Sequence, residues 1–113
     1  MGRTRFTITS SAFYILLSLS TQERHGYEIL KDVALSSAGR VKMGPGILYT
    51  TLKRLLEASL IVEVEGRTAA DREDSRRRFY RLTHKGRAAL AAELERMEQA
   101  LKVARVQRLR SAE

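Results

Sequence analysis

Apolar residues repeat along the chain first with the period of a helix, then with that of a strand, and then with a helical period again. One helical face follows the spacing i, i+4, i+7, i+8 and i+11 in the residues Leu48, Leu52, Leu55, Leu56 and Ser59. This spacing predicts a helix over 45–59 that is buried on one side only. Pro45 suits its first turn because the N–H group that proline lacks would have no partner there.

Two further helices are predicted before this one. Thr9 is a favourable N-cap residue before the apolar run AFYILLSL, which predicts a mostly buried helix over about 9–20. The polar segment TQERHG then interrupts the pattern. A single apolar face in YEILKDVAL predicts a second helix over 26–36, and the glycine-containing segment SSAGRVKMG connects it to the third.

A β-hairpin is predicted after the third helix, because the apolar period changes there to two. Val62 and Val64 alternate with glutamates in the first strand. In the second strand, RRFYRL, Tyr80 and Leu82 share one face, and Phe79 is expected on the other face with the arginines. The polar loop GRTAADREDSR joins the two strands and is predicted to form a protruding tip.

A long helix is predicted at the end of the chain, from a cap at Thr83 to about residue 108. Its apolar residues repeat with 4-3-4-3 spacing: Leu90, Leu94, Met97, Leu101 and Ala104. Such a seam can pack either on its own domain or on a partner helix. A helix of about 25 residues is about 37 Å long, more than a domain this small can cover, which favours dimerisation.

The predicted order of three helices, a β-hairpin and a long helix is that of a winged helix-turn-helix protein, an α+β fold that is mainly α. We expect residues 1–83 to form the winged-helix domain. Residues 84–113 are expected to form the C-terminal dimerisation helix and tail, packed as part of the same unit. The 113 residues are enough for one domain with a modest core.

The charge balance indicates what kind of partner the chain has. It carries 21 Lys and Arg against 13 Asp and Glu, a net charge of +8. Because each phosphate neutralised by Lys or Arg releases counterions, such a balance favours a polyanionic partner, although solubility alone would also account for it. The basic residues cluster on the third helix and, as Arg76–Arg78, beside the hairpin loop.

Composition and motif spacing exclude several other classes of protein. The chain has no cysteine, which excludes disulfides and thiolate metal sites. No apolar run approaches the roughly 20 residues that span a bilayer, and the first ten residues lack the apolar stretch of a secretory signal, so we expect a cytoplasmic protein without membrane contact. The two histidines, His25 and His84, lie at predicted helix starts, and no paired-carboxylate, metal-ligand or Walker-type spacing occurs. Catalysis, a metal and a cofactor are therefore not expected.

Four sequence blocks resemble, in order and spacing, the PadR family of bacterial transcriptional regulators: AFYILLSL, HGYEILKDV, GPGILYTTLKRLLEASLI and RRRFYRLTHKGR. The resemblance covers about residues 9–90. It implies a homodimeric winged-helix repressor that binds operator DNA and is often released by a small-molecule effector. Short members of the family carry a single C-terminal helix for dimerisation, and the chain's length resembles theirs. The chain departs from the family at Ser59, where glycine is common, and at Ile47, where a small polar residue is frequent.

The helix-turn-helix order predicts that the third helix enters the major groove of double-stranded DNA. The candidate DNA-binding residues on and before this helix are Lys42, Gly46, Tyr49, Thr50, Lys53 and Arg54. Gly46 allows a phosphate to approach the helix N-terminus, while Lys53 and Arg54 can contact phosphates or guanine. The alternative for the two basic residues is an ordinary solvated face, and for Tyr49 it is a partly buried position. A two-fold dimer predicts a roughly palindromic site.

The hairpin loop is the second candidate for DNA contact. Arg76, Arg77 and Arg78 lie at its return, where arginine suits the enhanced negative potential of a narrow minor groove. Some of them can instead form surface ion pairs with the nearby acids Asp71, Glu73 and Asp74. We expect one or two of the three arginines to contact DNA.

A function of another class stays open at this point. The chain could be a winged-helix module that binds a protein partner and uses its basic face weakly. The identity of an effector does not follow from the sequence, because aromatic residues make up only 6% of the chain and tryptophan is absent. A cavity between Phe13 and Tyr14 of the first helix and the partner's Met97 is one candidate effector site, although apolar residues there are more often core.

Overall fold

A computed structural model of the chain describes residues 8–66, 68–70 and 78–111. Its helices and strands follow in the order α1 Ser10–Ser18, β1 Arg24–His25, α2 Gly26–Ser36, α3 Pro45–Glu57, β2 Ile61–Val64, β3 Phe79–Leu82 and α4 His84–Ser111. The predicted α+β, mainly helical winged helix-turn-helix architecture is thereby confirmed. Arg3 and Arg5, part of a basic N-terminal segment, lie outside the described residues.

The core lies between the first three helices and one face of the sheet. Its members are buried apolar side chains from every helix, from the two longer strands and from two residues that adjoin them, Leu19 and Leu60. The full set is Ala12, Phe13, Ile15, Leu16, Leu19, Ile29, Val33, Leu48, Leu52, Leu55, Leu60, Ile61, Tyr80, Leu82 and Leu90. On α3, Leu48, Leu52 and Leu55 are at most 1% exposed, as their spacing predicts, whereas Leu56 is partly buried and Ser59, beyond the end of the helix, is exposed. Each such side chain contributes about 1.5–3 kcal/mol of hydrophobic stabilisation.

The starts of α1 and α2 are fixed by side-chain caps. The Thr9 hydroxyl accepts from the Ala12 N–H at 3.1 Å, as its N-cap position requires. His25 caps α2: its Nδ1 accepts from the Glu28 N–H at 3.3 Å, and the Glu28 carboxylate accepts from the His25 N–H at 3.1 Å. This reciprocal pair is a capping box, and it gives His25 a structural role at the helix start where the sequence places it.

The sheet contains one strand that was not predicted from the sequence. The two-residue strand β1 lies within the polar segment TQERHG and pairs antiparallel with β3, so the order is β1-β3-β2. The prediction that Phe79 faces outward was wrong: its side chain is buried. The cause is β1, because His25 lies opposite Phe79 and its ring meets the phenyl ring edge-on at 5.2 Å between centroids. A strand of two residues is too short for a periodic signal.

The end of α3 has a left-handed residue that is not glycine. The helix ends at Glu57, two residues before the predicted boundary, and Ser59 has φ +62°. The Leu60 N–H donates to the Leu55 carbonyl at 3.0 Å, and the Ser59 N–H to the Leu56 carbonyl at 3.0 Å. These two bonds form a Schellman motif, in which glycine is the usual residue at the left-handed position.

We expect Ser59→Gly to raise the free energy of unfolding by about 1 kcal/mol, because it relieves a left-handed conformation that costs L-residues roughly 1–2 kcal/mol. Urea denaturation measures the change. The matched control is Ser36→Gly, the same substitution at the exposed last residue of α2, whose φ is not left-handed, so its stability should not rise. A destabilised Ser59→Gly variant would contradict the strain at this position.

Only the first turns of α4 pack against the rest of the domain. Leu90 is only 4% exposed and packs in the domain's own core, so its assignment to the dimerisation seam is corrected: the start of α4 packs on α1 and β3. The same helical face continues as Leu94, Met97 and Leu101, which are 41–48% exposed. At 1.5 Å per residue, 28 residues extend about 42 Å. Within the described ranges, no helix combines the length and apolarity needed to cross a membrane.

Candidate nucleic-acid interface

The side of α3 opposite its leucines is exposed and basic. Besides Glu57 in its last turn, this side carries Gly46, Thr50, Lys53 and Arg54, which span a little over two turns. We call these four residues the basic face of α3. Since burial on the leucine side holds the helix in place, the basic face plays no part in the core. The side chains of Thr50 and Lys53 are exposed to solvent on this face.

The first turn of α3 offers backbone donors beside this face. Gly44 is the N-cap, Pro45 begins the helix, and Gly44, having no side chain, leaves the first N–H groups without a side-chain cap. The backbone N–H groups of a first turn favour an anion. A Cβ added to Gly46 would meet no heavy atom of the described chain within 4 Å, so the space in front of this turn is open. Lys42, which precedes the turn, is exposed.

Tyr49 lies at the edge of the basic face rather than in the core. It is 52% exposed, and its ring reaches from α3 to the first residue of α2. A Cβ added to Gly26 would lie 2.8 Å from the Tyr49 hydroxyl oxygen, so a larger residue at position 26 would displace the end of the Tyr49 side chain. The phenol is thus positioned where the two helices of the motif meet, with its hydroxyl close to the N-terminus of α2.

Arg24 holds α2 against the end of α1. Its Nε donates to the Ser18 carbonyl at 2.8 Å, and its guanidinium also donates to the Thr21 hydroxyl at 3.3 Å. The same guanidinium lies 4.0 Å from the Asp32 carboxylate on α2. A cation at the C-terminal end of a helix is favoured by the helix dipole. Arg24 therefore has a structural role, and its charge is directed inward.

Of the three arginines proposed for the hairpin, only Arg78 falls within the described residues; Arg76 and Arg77 do not. The Arg78 side chain is exposed and lies 3.7 Å from the Glu63 carboxylate of β2. An exposed pair of this kind contributes at most about 1 kcal/mol, so the guanidinium can exchange it for another anion. The pKa of the neighbouring Tyr80 phenol is raised, mainly by burial and secondly by the Glu63 carboxylate, so this phenol is neutral at physiological pH.

Two neighbouring residues on the exposed side of α2 were not among those predicted from the sequence. Tyr27 is largely exposed, and the Lys31 ammonium lies 5.4 Å from the centre of its ring. The i, i+4 spacing of an aromatic and a cationic residue on the polar side of a helix is the signal that could have revealed them. Ile47, noted as unusual for a base-reading position, is 57% exposed beside the basic face.

The two aromatic residues considered for an effector cavity occupy different environments. Phe13 is buried in the core, whereas Tyr14 is partly buried at the edge of the core. Their rings meet edge-on with centroids 5.1 Å apart. Phe13 is therefore already packed within its own domain, and Tyr14 is the one of the pair that retains exposed surface.

The fold and the basic face of α3 define a winged helix-turn-helix protein whose second motif helix exposes cationic side chains. Family comparison agrees: the chain belongs to the transcriptional regulator PadR-like family, whose model matches residues 15–92. The family indicated by the four sequence blocks is thus confirmed.

Solved structures and a curated relative are consistent with this family. A transcriptional regulator from Clostridium thermocellum, Cth-833, aligns with a TM-score of 0.68 and 26% identity, over 84% of this chain and 86% of that one. A PadR family regulator from Clostridium difficile R20291 supports the fold, with a TM-score of 0.69 and 24% identity over 84% and 94% of the two chains. The transcriptional regulator YqjI of Escherichia coli K12 is 43% identical over 54 residues, 46% of this chain and 26% of YqjI. The match thus spans about a quarter of that relative.

Proposed function

We propose that the chain is a sequence-specific DNA-binding repressor of transcription, in which α3 reads the major groove. The observation that carries this proposal is the exposed basic face of α3, set opposite the buried leucines Leu48, Leu52 and Leu55 on the second helix of the motif. In helix-turn-helix proteins this helix lies in the major groove with its N-terminal residues nearest the bases. Membership of a family of transcriptional regulators supports the same function.

Each candidate residue has a chemical role in this proposal. Lys53 and Arg54 contact phosphates or guanine edges, and Thr50 contacts a base edge or a thymine methyl group. Gly46 and the free N–H groups around it receive a phosphate, with Lys42 adding positive charge nearby. Tyr49 donates its hydroxyl to a phosphate beside the start of α2. The wing arginines, Arg76–Arg78, contact the flanking minor groove or backbone.

We further propose that the regulator acts as a homodimer on a roughly palindromic operator. The exposed stripe of α4 supports this, because Leu94, Met97, Leu101 and Ala104 continue a face that is already buried at Leu90. A two-fold dimer presents two copies of α3 about one DNA turn apart. Release by a small-molecule effector fits the family, and the partly exposed Tyr14 with the partner's α4 is the proposed place for it.

Lys53→Ala tests the proposed interface directly. We expect it to weaken binding to DNA from upstream of the protein's own gene roughly tenfold or more, since a dimer loses two cationic contacts. The slope of log affinity against log salt should become shallower by about 1.8. Fluorescence anisotropy at several salt concentrations measures both quantities. The melting temperature should not change, because Lys53 is exposed.

Lys102→Ala is the matched control for that experiment. It removes the same charge from the exposed part of α4, away from the basic face. Its DNA affinity should stay within about twofold of the unmodified protein, since exposed charges more than a Debye length apart interact little. Equal losses in both variants would mean that only net charge attracts the DNA. Unfolding of Lys53→Ala would mean that the helical face is assigned wrongly.

The exposed Ile47 favours a second candidate function, a winged-helix module that binds a protein. An apolar side chain at the entrance of the basic face suits a protein partner better than a phosphate. The two functions differ in salt dependence and sequence preference. Affinity that is equal for promoter DNA and an unrelated fragment, or absent at physiological salt, would support the protein-binding module.

A further inference from the structure

Thr83 joins the end of α3 to the start of α4. Its hydroxyl donates to the Ser59 carbonyl at 2.7 Å and accepts from the Gly86 N–H at 2.9 Å. Its own N–H donates to the Leu60 carbonyl at 3.1 Å. The cap at the start of α4 was predicted from the sequence, whereas the bond to Ser59, 24 residues away, was not. One side chain thus connects the two helices to which recognition and dimerisation are assigned.

The backbone of α4 also closely approaches the segment that follows α3. A Cβ added to Gly86 would overlap the Leu60 carbonyl oxygen and lie 2.8 Å from the Leu60 carbonyl carbon. The first turn of α4 is therefore in direct backbone contact with the segment that follows α3. Because Ser59 and Leu60 are the residues of the Schellman motif, this contact acts on the terminal turn of α3 itself.

We propose that Thr83 is a positioning residue that fixes the orientation of α3 relative to α4 and so sets the operator half-site spacing accepted by the dimer. This inference rests on the proposed DNA-binding function. We call the contact of Thr83 with Ser59 the joint. In a two-fold dimer the joint occurs twice, so any rotation at one copy is repeated at the other. Adding one base pair between half-sites displaces one of them by about 3.4 Å along the DNA and also rotates it about the DNA axis. A dimer in which this contact is loosened would bind both operators, with and without the added base pair.

Three substitutions at Thr83 distinguish the capping of α4 from the positioning of α3. Thr83→Ser keeps a hydroxyl that can both donate to Ser59 and accept from Gly86. Thr83→Asp keeps an acceptor for the Gly86 N–H but has no donor for the Ser59 carbonyl, since an ionised carboxylate only accepts. Thr83→Val removes both functions. If Thr83 only caps α4, Thr83→Asp will behave like the unmodified protein; if it positions α3, Thr83→Asp will behave like Thr83→Val.

The DNA experiment compares spacings rather than absolute affinity. A preferred site is first selected from random duplexes with the unmodified protein, and then one base pair is inserted or removed at its centre. We expect the unmodified protein and Thr83→Ser to bind the two altered sites roughly tenfold or more weakly than the selected site. For Thr83→Asp and Thr83→Val, the affinities for all three sites should lie within about threefold of one another. Thr83→Val should lose about 4–8 °C in melting temperature because it lacks the cap, and Thr83→Asp should lose less because it keeps the cap.

A second measurement needs no DNA. Since the chain has no cysteine, Lys53→Cys on α3 and Lys102→Cys on α4 can carry a pair of spin labels. Dilution with unlabelled protein makes the measured distance intramolecular. We expect one narrow distance distribution with Thr83 or Thr83→Ser, and a broadened one with Thr83→Asp and Thr83→Val.

The two experiments separate failure of the joint from failure of the proposed function. A narrow distribution in Thr83→Asp, or undiminished discrimination between spacings by that variant, would overturn the positioning role. A broadened distribution in Thr83→Asp, in a protein whose unmodified form selects no DNA sequence, would support the joint and overturn the DNA-binding function. Broadening together with relaxed spacing would support both.

Discussion

Gly86→Ala is expected to lower the melting temperature by more than about 10 °C. The added Cβ would overlap the Leu60 carbonyl oxygen and lie 3.2 Å from the Leu60 Cα, and these are backbone atoms that no rotamer change can move aside. Overpacking against flexible side chains costs about 1–3 kcal/mol, so a clash with backbone should cost at least about 3 kcal/mol. That is a large fraction of the about 5–15 kcal/mol that stabilises a domain.

Thermal unfolding followed by circular dichroism at fixed protein concentration measures this effect. Gly46→Ala is the matched control, because a Cβ there would meet no heavy atom of the described chain within 4 Å. Its stability should stay the same or rise by up to about 1 kcal/mol, since alanine favours a helix more than glycine does. If Gly86→Ala melted at the same temperature as Gly46→Ala, the close contact between α4 and Leu60 would not exist.

Leu101→Glu is expected to convert the proposed dimer to monomer and to abolish high-affinity DNA binding. Leu101 is 48% exposed in one chain, so it adds little to the core of its own domain. A symmetric dimer would lose two buried leucines, each contributing about 2 kcal/mol, which raises the dissociation constant of the dimer roughly a thousandfold. Sedimentation velocity measures the association, and anisotropy with a two-half-site duplex measures the loss of DNA affinity.

Val103→Glu is the control on the same helix. Val103 is similarly exposed, but it lies about 200° around the helix from Leu101 and outside the seam. We expect this variant to remain dimeric and to melt near the temperature of the unmodified protein. Dissociation of Val103→Glu alone would place the dimer interface on the opposite face of α4. An unmodified protein that is monomeric at micromolar concentration would contradict the dimer itself.

The principal elements of the fold could be predicted because each has a periodic signal longer than one turn. The leucines of α3 and the proline before them defined its buried face and its start, and both agree with the structure. The position of Leu90 could not be predicted in the same way. Spacing assigns a residue to a face of α4 but does not say where along that face the domain ends and the exposed stripe begins.

Contacts between segments that are far apart in the sequence could not be predicted from the sequence alone. Phe79 is buried because β1, about 55 residues earlier in the chain, pairs beside it. The Tyr49–Gly26 contact likewise depends on how α2 and α3 cross, which no local pattern encodes. The residue types of the basic face were predictable from charge and helical geometry, whereas the joint at Thr83 required the tertiary structure.

The position of β3 between β1 and β2 bears on how copies of this chain can associate. Both edges of β3 are hydrogen-bonded, so the open edges of the described sheet belong to strands of two and four residues. Edges this short are poor templates for strand addition from another molecule, which is how many proteins avoid sheet-to-sheet aggregation. In the proposed dimer, association would therefore be confined to the exposed stripe of α4, because the strands of the described sheet offer little edge for pairing with another copy.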